Sequence, residues 1–460
     1  MQTDSLTAHV AGFIAATRYD GIPRDAVNCG KKAILDTLAV GLAGARAEGS
    51  AIVRRYIEGL GCANGPASVF GSARCTQPRF AALANGAAMH ADDFDDTFHP
   101  SRVHSSAPVL AAALAGAEGA GASGKDLLRA FVVGSEVTCK VSVTIDHQHY
   151  LRGHHATSTC GVLGATAALC SLRGFSAEAT RMALGIAGSE AMGLRENFGT
   201  MMKPFHAGRA AESAVAAVSL IELGFTAART ILEGPRGFFL AGGGGFDAEK
   251  MYGKLGTPWC YVTPGVAIKP YPSGNIAHPA MCKLQEMVLA HDIRPDDVER
   301  IAVRTNRLVP LNLTYHRPVT GLEGKFSMEF CLAAILVTRR AGLAEFTDAF
   351  VNRADVRQAI EKIDYTTYTD EEAAAQGYQF LTSFLDISMR DGRRFSARVD
   401  AANGSAALPM SDNEVAAKFR GCAEFAGLEG SRTERLIELV LQLECLDDIR
   451  ALGALLRRAT

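Results

Sequence analysis

The stretch HADDFDDTFHPSRVH, residues 90–104, places three histidines and four aspartates around one threonine. It follows directly on the small apolar run FAALANGAAM. A carboxylate beside an imidazole in a partly dry pocket has a shifted pKa, which suits proton transfer near neutral pH. The stretch therefore indicates an acid/base site. A divalent-cation site and a solvated, charged helix end are the alternatives.

A helix that begins near Pro78 is predicted to carry this stretch, since proline is favoured in the first helical turn. Helical spacing puts Thr97 on the stripe that continues the apolar face, with Asp93 beside it. Pro100 disfavours helical geometry in the residue before it. We therefore expect the chain to turn there and to bring His104 back to the same end of the helix.

Three later segments add basic groups. In GHHATSTCG, tandem histidines precede a small-residue helix, whose N-terminus would favour the neutral imidazole that a base requires. In MMKPFHAGRAA, Lys203 is predicted in a loop that leads into a helix, where free N–H groups attract anions. In IKPYPSGNIAHPA, prolines stiffen the chain after Lys269, as in a rigid connector that faces a ligand. Satisfied core histidines and solvated surface lysines are the alternatives.

The elements around these segments change character along the chain. Helical periodicity dominates up to about residue 260, as in ILDTLAVGLAGA. ERIAVRTN then alternates apolar and polar residues, and FLDISMRDGRRFSARVD reads as a hairpin around an Asp-Gly turn. We predict a mainly α fold with a large helical domain over 1–265 and 405–460. An α+β lid domain is predicted over 266–404.

Composition excludes several classes of protein. The 460 residues are 48% hydrophobic and carry 47 basic against 49 acidic side chains, which gives no electrostatic case for nucleic acid or an anionic membrane. Eleven cysteines lack any CxxC pair and suit reduced thiols. The N-terminus MQTDSLTAHV does not resemble a secretory signal, and no apolar run has spanning length. A cytoplasmic location is expected.

Seven segments occur in an order that resembles the MmgE/PrpD family. They are HADDFDDTFHPS, GHHATSTCG, MMKPFHAGRAA, GFTAARTILEG, IKPYPSGNIAHPA, GLEGKFSMEF and PMSDNEVAAKF, and they cover nearly the whole chain. The family includes 2-methylcitrate dehydratase, cis-aconitate decarboxylase and iminodisuccinate epimerase. The resemblance implies a helical domain formed from both chain ends, a smaller α+β lid and a homodimer. It also implies a small di- or tricarboxylate substrate.

The resemblance also assigns site residues by motif. The implied catalytic residues are Asp93, His104, His155, Lys203 and Lys269. The implied substrate-binding residues are Thr97, Lys203, Lys269 and Tyr315, which precedes GLEGKFSMEF. The lysines would stabilise negative charge on substrate carboxylates, and one of the histidines would move the proton.

Two departures from the decarboxylase pattern bear on the reaction. HPSRVHSS has one residue more before its second histidine, and Gly274 follows YPS where the decarboxylase carries histidine. We therefore predict a hydro-lyase that resembles 2-methylcitrate dehydratase. An epimerase of a substituted succinate is the main alternative, and cis-aconitate decarboxylation is a weaker one. A carboxylate-binding protein without activity and a metal-dependent hydrolase are alternatives from other classes.

No cofactor and no metal are expected in the leading interpretation. An iron–sulfur dehydratase would need a compact cysteine motif, which the sequence lacks. His90, Asp93 and Asp96 nevertheless offer nitrogen and oxygen ligands for a divalent cation. They define the metal-bound alternative.

Overall fold

Helices build the first half of the molecule in the computed structural model, which describes residues 5–62 and 64–457. They are α1 (Leu6–Ala16), α2 (Arg24–Gly44), α3 (Glu48–Gly59), α4 (Pro78–Met89), α5 (Ser106–Ala120), α6 (Gly124–Thr144), α7 (Gln148–Leu151), α8 (Ala156–Thr159), α9 (Gly161–Arg173), α10 (Ala177–Ser189), α11 (Met202–Glu222) and α12 (Phe238–Gly243). Two short strands, β1 (Ala67–Ser68) and β2 (Cys75–Thr76), pair antiparallel.

Small residues let the central helices approach closely. A Cβ at Gly86 in α4 would lie 2.8 Å from the Cα of Gly208 in α11, and a Cβ at Gly134 in α6 would lie 2.6 Å from the carbonyl oxygen of Gly164 in α9. Larger side chains would force these backbones apart. The Gly86–Gly208 contact brings the end of α4 beside the start of α11, where Lys203 lies.

The predicted lid region, residues 266–404, contains a four-stranded sheet and six α-helices. Its elements are α13 (His278–Ala290), β3 (Val298–Asn306), α14 (Gly321–Gly324), α15 (Met328–Thr338), α16 (Asp348–Val351), α17 (Ala354–Ile360), β4 (Ile363–Tyr368), α18 (Asp370–Gln376), β5 (Ser383–Met389) and β6 (Arg394–Val399). The strand order is β4-β3-β5-β6, with β3 and β4 parallel and the other pairs antiparallel. The predicted hairpin is confirmed as β5 and β6. β4 was not predicted, because only its two end residues are buried and it shows no clear alternation.

The last three helices return to the helical core. They are α19 (Asp412–Ala426), α20 (Gly430–Leu441) and α21 (Arg450–Leu456). Val415 and Phe419 of α19 are fully buried in the same hydrophobic cluster as Leu38 of α2. A buried ion pair of 2.7 Å between Lys418 and Asp36 joins the two helices as well.

Two hydrophobic clusters organise the molecule. One contains residues from 6 to 268 and from 410 to 456, and the other contains residues from 271 to 389. The predicted mainly α fold with a smaller α+β part is confirmed. The exact limits of the two predicted domains stay a prediction. Within the described residues, no helix combines the length and the apolar character needed to cross a membrane.

Candidate active site

The stretch from His90 to His104 is a compact loop rather than the end of a helix. α4 stops at Met89, so the prediction that the helix carries the acidic residues is wrong. Aspartates oppose the dipole at a helix C-terminus, which gives a physical reason for the early stop. The predicted turn is confirmed: the Phe98 N–H donates to the Val103 carbonyl at 2.8 Å, and His104 returns to the acidic residues.

Asp93 is the centre of the loop's ionic contacts. Its Oδ1 lies 2.6 Å from Lys203 Nζ and 3.1 Å from Lys269 Nζ, and Lys269 also donates to the Asp93 carbonyl at 2.7 Å. All three side chains are buried. Burial alone would raise the pKa of Asp93, but Lys203 and then Lys269 outweigh it and hold that pKa well below its usual value.

The backbone at Asp93 is held in the left-handed region, with φ of +49°. Arg102 in the same loop has φ of +60°. Side chains other than glycine adopt such angles rarely, and aspartate tolerates them better than arginine does. Strain of this kind persists where surrounding contacts hold the chain, and it is common at functional sites. Here the ion pairs of Asp93 supply such contacts.

A second carboxylate, that of Asp95, contacts the imidazoles of both His90 and His104. His90 Nδ1 lies 2.9 Å from Asp95 Oδ1, and His104 Nδ1 lies 3.3 Å from Asp95 Oδ2, although that contact is not aligned as a hydrogen bond. Burial lowers the pKa of His90 to about 3 and also lowers that of His104, while Asp95 opposes the shift in both. Asp95 thus fixes both rings.

His155 is a second buried imidazole with a free ring nitrogen. It precedes α8, and its Nδ1 lies 3.1 Å from His206 Nδ1. Within the described part of the chain, its Nε2 has no hydrogen-bond partner. Burial and then Lys203 hold its pKa well below the usual value, so the ring is neutral at neutral pH. The neutral state was expected from a helix N-terminus, but desolvation is the larger cause.

The two lysines reach Asp93 from separate segments of the chain. Lys203 lies in the first turn of α11, so its predicted place in a loop is wrong. Lys269 follows a paired segment in which Ala267 and Thr97 exchange backbone hydrogen bonds of 2.8 and 2.9 Å. The Ile268 N–H donates to the Gly404 carbonyl at 2.8 Å. The prediction of a rigid connector at Lys269 agrees with these contacts.

These groups surround one cavity of about 50 Å³. Six predicted site residues line it: Asp93, Thr97, His104, His155, Lys203 and Lys269. Thr97 Oγ1 is buried and, among the described residues, has no hydrogen-bond partner. Tyr315 is not among the residues that line the cavity in the described part of the chain, and its hydroxyl donates to the Phe198 carbonyl at 3.0 Å. The structure therefore does not place Tyr315 with the other predicted residues.

Several lining residues were not predicted. They are Arg102, Tyr150, Phe198, Gly274, Asn275, Ile276, Asn312, Leu313 and Phe326. Arg102 lies inside the acidic stretch, so its position was a signal that sequence reasoning missed. Asn312 and Phe326 come from the lid region, and they reach the cavity through packing that has no local signature in the sequence.

The same loop could offer ligands to a cation, but Lys203 already occupies two of its ligand atoms. Ligand atoms of His90, Asp93, Asp95 and His104 lie within 4.8 Å of one another. Lys203 Nζ contacts two of these residues, at 3.1 Å from His90 Nε2 and 2.6 Å from Asp93 Oδ1. An ammonium group at this position repels a cation. The predicted set with Asp96 is wrong, since Asp96 accepts from Ser106 instead.

Two family models match this chain. A family model described as the MmgE/PrpD N-terminal domain matches residues 8–251, and one described as the MmgE/PrpD C-terminal domain matches residues 271–444.

Curated relatives cover almost the full chain. A cis-aconitate decarboxylase from Homo sapiens is 29% identical, over 99% of this chain and 95% of the relative. One from Mus musculus is 30% identical, over 99% and 94%. One from Aspergillus terreus (strain NIH 2624 / FGSC A1156) is 27% identical, over 98% and 96%. With both domains matched in order along most of its length, the chain belongs to the MmgE/PrpD family.

Proposed function

We propose that this protein is a lyase that transfers a proton next to a carboxylate of a small polycarboxylic acid, without a metal or an organic cofactor. One observation carries the proposal. Two buried lysines meet at Asp93 in a cavity that also contains a neutral histidine with a free nitrogen and an unpaired threonine hydroxyl. The curated relatives, which are named as cis-aconitate decarboxylases, support the substrate class.

Charge in the cavity favours a polyanion. Arg102, Lys203 and Lys269 line the cavity. Asp93 is the only acidic residue among the lining residues that the structure describes. Asp93 compensates one of the three cations, and Asp95, which also acts on Lys269, compensates a second, so the site keeps a net positive charge for substrate carboxylates. In a site that excludes water, such charges stabilise an anion more strongly than they would in solution.

His155 is the proposed base. Its Nε2 removes the proton from the carbon next to a substrate carboxylate, and the electron pair spreads onto carboxylate oxygens that Lys203 and Lys269 stabilise. Those interactions strengthen as charge develops, so they act mainly on the transition state. A positioned base contributes about 10²- to 10⁴-fold.

His104 is the proposed acid. Burial lowers the pKa of His104, but Asp95, 3.3 Å from its Nδ1, opposes that shift, and Asp93 lies 3.8 Å from its Nε2. His104 is therefore easier to protonate than His155, whose pKa is held well below its usual value. His155 has no carboxylate of this kind beside it among the described residues. In a dehydration, His104 donates a proton to the departing hydroxyl group, which leaves as water while the carbon–carbon double bond forms.

Dehydration of an acid that resembles 2-methylcitrate is the leading reaction. Gly274 lines the cavity, and a Cβ there would lie 3.0 Å from Leu313 Cδ2. A histidine at this position, as in the decarboxylase pattern, would have to displace Leu313 or fill the cavity. Decarboxylation of cis-aconitate is the second candidate, because the curated relatives carry that name. Epimerisation of a substituted succinate uses the same proton abstraction and is the third.

Proton and carbon NMR in D₂O tests these reactions together. The purified protein is incubated separately with 2-methylcitrate, cis-aconitate and a substituted succinate. Dehydration gives an alkene and no CO₂, decarboxylation gives CO₂, and epimerisation exchanges the α-hydrogen without forming an alkene. Activity that survives exhaustive chelation supports the proposed independence from metals. Tight binding without any turnover would overturn the enzymatic proposal.

A homodimer remains a prediction from the family resemblance. Light scattering coupled to size-exclusion chromatography tests it directly, since a monomer would elute with a mass near 48.7 kDa.

A further inference from the structure

The reaction cavity has a larger neighbour. A cleft of about 650 Å³ runs beside α7 and the end of α6, and it shares three lining residues with the reaction cavity: Arg102, Tyr150 and Asn312. These three side chains therefore stand at the junction between the two spaces. A ligand that is bound at Lys203 and Lys269 and extends toward this cleft therefore comes close to Arg102.

Arg102 differs from the two lysines in its partners. Lys203 and Lys269 share the carboxylate of Asp93. The guanidinium of Arg102 instead lies 5.1 Å from the ring centre of Tyr150 and 4.9 Å from that of Phe380. Among the residues that the structure describes, no carboxylate forms an ion pair with it. Its charge is thus oriented by aromatic rings and is left without an anionic partner.

The surroundings of Arg102 are held in place. Tyr150 donates its hydroxyl hydrogen to Asn312 Oδ1 at 2.6 Å, and Arg195 donates to the same oxygen at 2.7 Å. The Arg195 guanidinium also lies 3.9 Å from the ring centre of Tyr150. This network uses the acceptor oxygen of Asn312 and fixes the ring against which Arg102 packs. A rigid aromatic wall reduces the entropy lost when Arg102 binds an anion.

We propose that Arg102 binds the carboxylate of the substrate that is farthest from the reacting carbon, and that it thereby selects tricarboxylates over dicarboxylates. This assignment rests on the proposed function. Lys203 and Lys269 hold the carboxylates near His155, and Arg102 receives the third. Its planar guanidinium can make two parallel hydrogen bonds to a carboxylate, which a lysine cannot do. A dicarboxylate that lacks the third group leaves Arg102 unpaired.

Isothermal titration calorimetry with two ligands that are not expected to react tests the assignment. Tricarballylate carries three carboxylates, and methylsuccinate is the same skeleton with one carboxymethyl group replaced by methyl. The wild-type protein is expected to bind tricarballylate more tightly. Arg102→Gln should weaken tricarballylate binding by about 10- to 100-fold, the range for a hydrogen bond to a charged group. Methylsuccinate binding should be unchanged by the same substitution.

Two further variants control the result. Arg339→Gln changes another arginine with a left-handed backbone, φ of +61°, at the end of α15 and outside the described lining of the cavity. It should leave both dissociation constants at their wild-type values. Arg102→Lys keeps the charge but loses the paired hydrogen bonds, so tricarballylate binding should lie between wild type and Arg102→Gln. Thermal denaturation shows whether each variant is folded.

Each outcome decides between specific alternatives. Equal weakening of both ligands by Arg102→Gln would assign Arg102 to the general positive charge of the cavity and overturn its selective role. No weakening of either ligand would overturn the assignment and leave the proposed function standing. If the wild-type protein bound neither ligand, the selective role of Arg102 would be overturned, whereas the proposed function would fall only if the NMR experiment also showed no turnover.

Discussion

Asp93 and Asp96 lie three residues apart in one loop, and both carboxyl groups are buried, at 4% and 0% exposure. Their pKa values are nevertheless shifted in opposite directions. The pKa of Asp93 is held well below its usual value by Lys203 and Lys269, which overcome the effect of burial. Burial raises the pKa of Asp96 to about 7, since its partners are the hydroxyl and N–H of Ser106 and the hydroxyl of Tyr261.

The comparison shows that burial by itself does not decide the charge of an acid in this loop. At Asp96, hydroxyl and amide donors reduce the free-energy cost of ionising a buried acid but do not remove it. At Asp93, two ammonium groups within 3.1 Å make ionisation favourable and so reverse the direction of the pKa shift. The cations come from α11 and from the connector before α13. Those segments are more than a hundred residues away along the chain. The loop supplies the acids, and distant segments decide which of them is charged.

Removing one of the two lysines that contact Asp93 should have the largest effect on activity and stability. Lys269→Met leaves buried Asp93 with one ammonium group and removes a proposed stabiliser of the transition state. We expect kcat/KM to fall by roughly 10²- to 10³-fold or more. The free energy of unfolding should drop by about 3–5 kcal/mol, as for other broken buried pairs. Steady-state kinetics and urea denaturation measure the two effects.

Lys325→Met is the matched control for that substitution. Lys325 is also buried and pairs with Asp92 at 2.9 Å, but it is not part of the described cavity lining. Stability should fall by a similar amount while the folded fraction keeps most of its activity. Equal loss of activity in both variants would show that the effect of Lys269→Met is structural.

Replacing the proposed base should have the next largest effect. His155→Gln keeps the approximate size of the side chain and removes the ring nitrogen, so kcat should fall by about 10²- to 10⁴-fold. His278→Gln is the control, because His278 is another buried histidine with a lowered pKa and contacts Ser273 outside the described lining. A variant at position 155 with wild-type kcat would contradict the assignment.

The pH dependence of activity should reflect the lowered pKa of His155. The pKa of His155 lies well below the usual value because of burial and Lys203. The neutral base therefore persists below pH 6.5, and the acid limb of kcat/KM should begin below that value. A bound polyanion favours the protonated ring, so the acid limb of kcat should lie at higher pH. An acid limb of kcat/KM centred above pH 6.5 would exclude His155 as the base.

The stability of two asparagine variants sharpens the comparison between the acids. The folded pKa of Asp96 is raised from 3.8 to about 7, so its protonated form stabilises the fold below pH 3.8 and this contribution is lost as pH rises to about 7. The difference in unfolding free energy between wild type and Asp96→Asn should therefore fall across this window. The slope is at most about 1.4 kcal/mol per pH unit.

Asp93→Asn should behave in the opposite way. The folded pKa of Asp93 is depressed, so its contribution is fully present above 3.8 and is lost only as pH falls below that value. The difference between wild type and Asp93→Asn should stay constant between pH 5 and pH 8. Urea denaturation at several pH values measures both series, and parallel curves for the two variants would refute the contrast.

The smallest effect is expected at Tyr315. Its hydroxyl donates to the Phe198 carbonyl, and the ring is not among the described cavity lining. Tyr315→Phe removes one partly exposed hydrogen bond, which costs about 0.5–1.5 kcal/mol of stability and leaves kcat close to wild type. A large loss of kcat would mean that Tyr315 reaches the substrate after a movement of the lid region.

Local patterns predicted much of the fold. The helices α2, α6, α9 and α11 follow the 3.6-residue spacing of their apolar residues, and the hairpin of β5 and β6 follows from alternation around an Asp-Gly turn. β4 was missed because it is mostly exposed, and the early end of α4 was missed because charge overrode its apolar periodicity. These errors occur where tertiary contacts outweigh local preference.

The sequence alone determined which groups the site contains: a loop of acids and imidazoles, two lysines beside prolines, and a histidine before a helix of small residues. The tertiary structure decided that Lys203 and Lys269 share Asp93, that Asp95 rather than Asp96 joins the imidazoles, and that Arg102 lines both the reaction cavity and the neighbouring cleft. The physical reason is the range of each interaction. Helix and turn preferences act between neighbours in the chain, whereas desolvation and ion pairing depend on which distant segments exclude water from the same few ångströms.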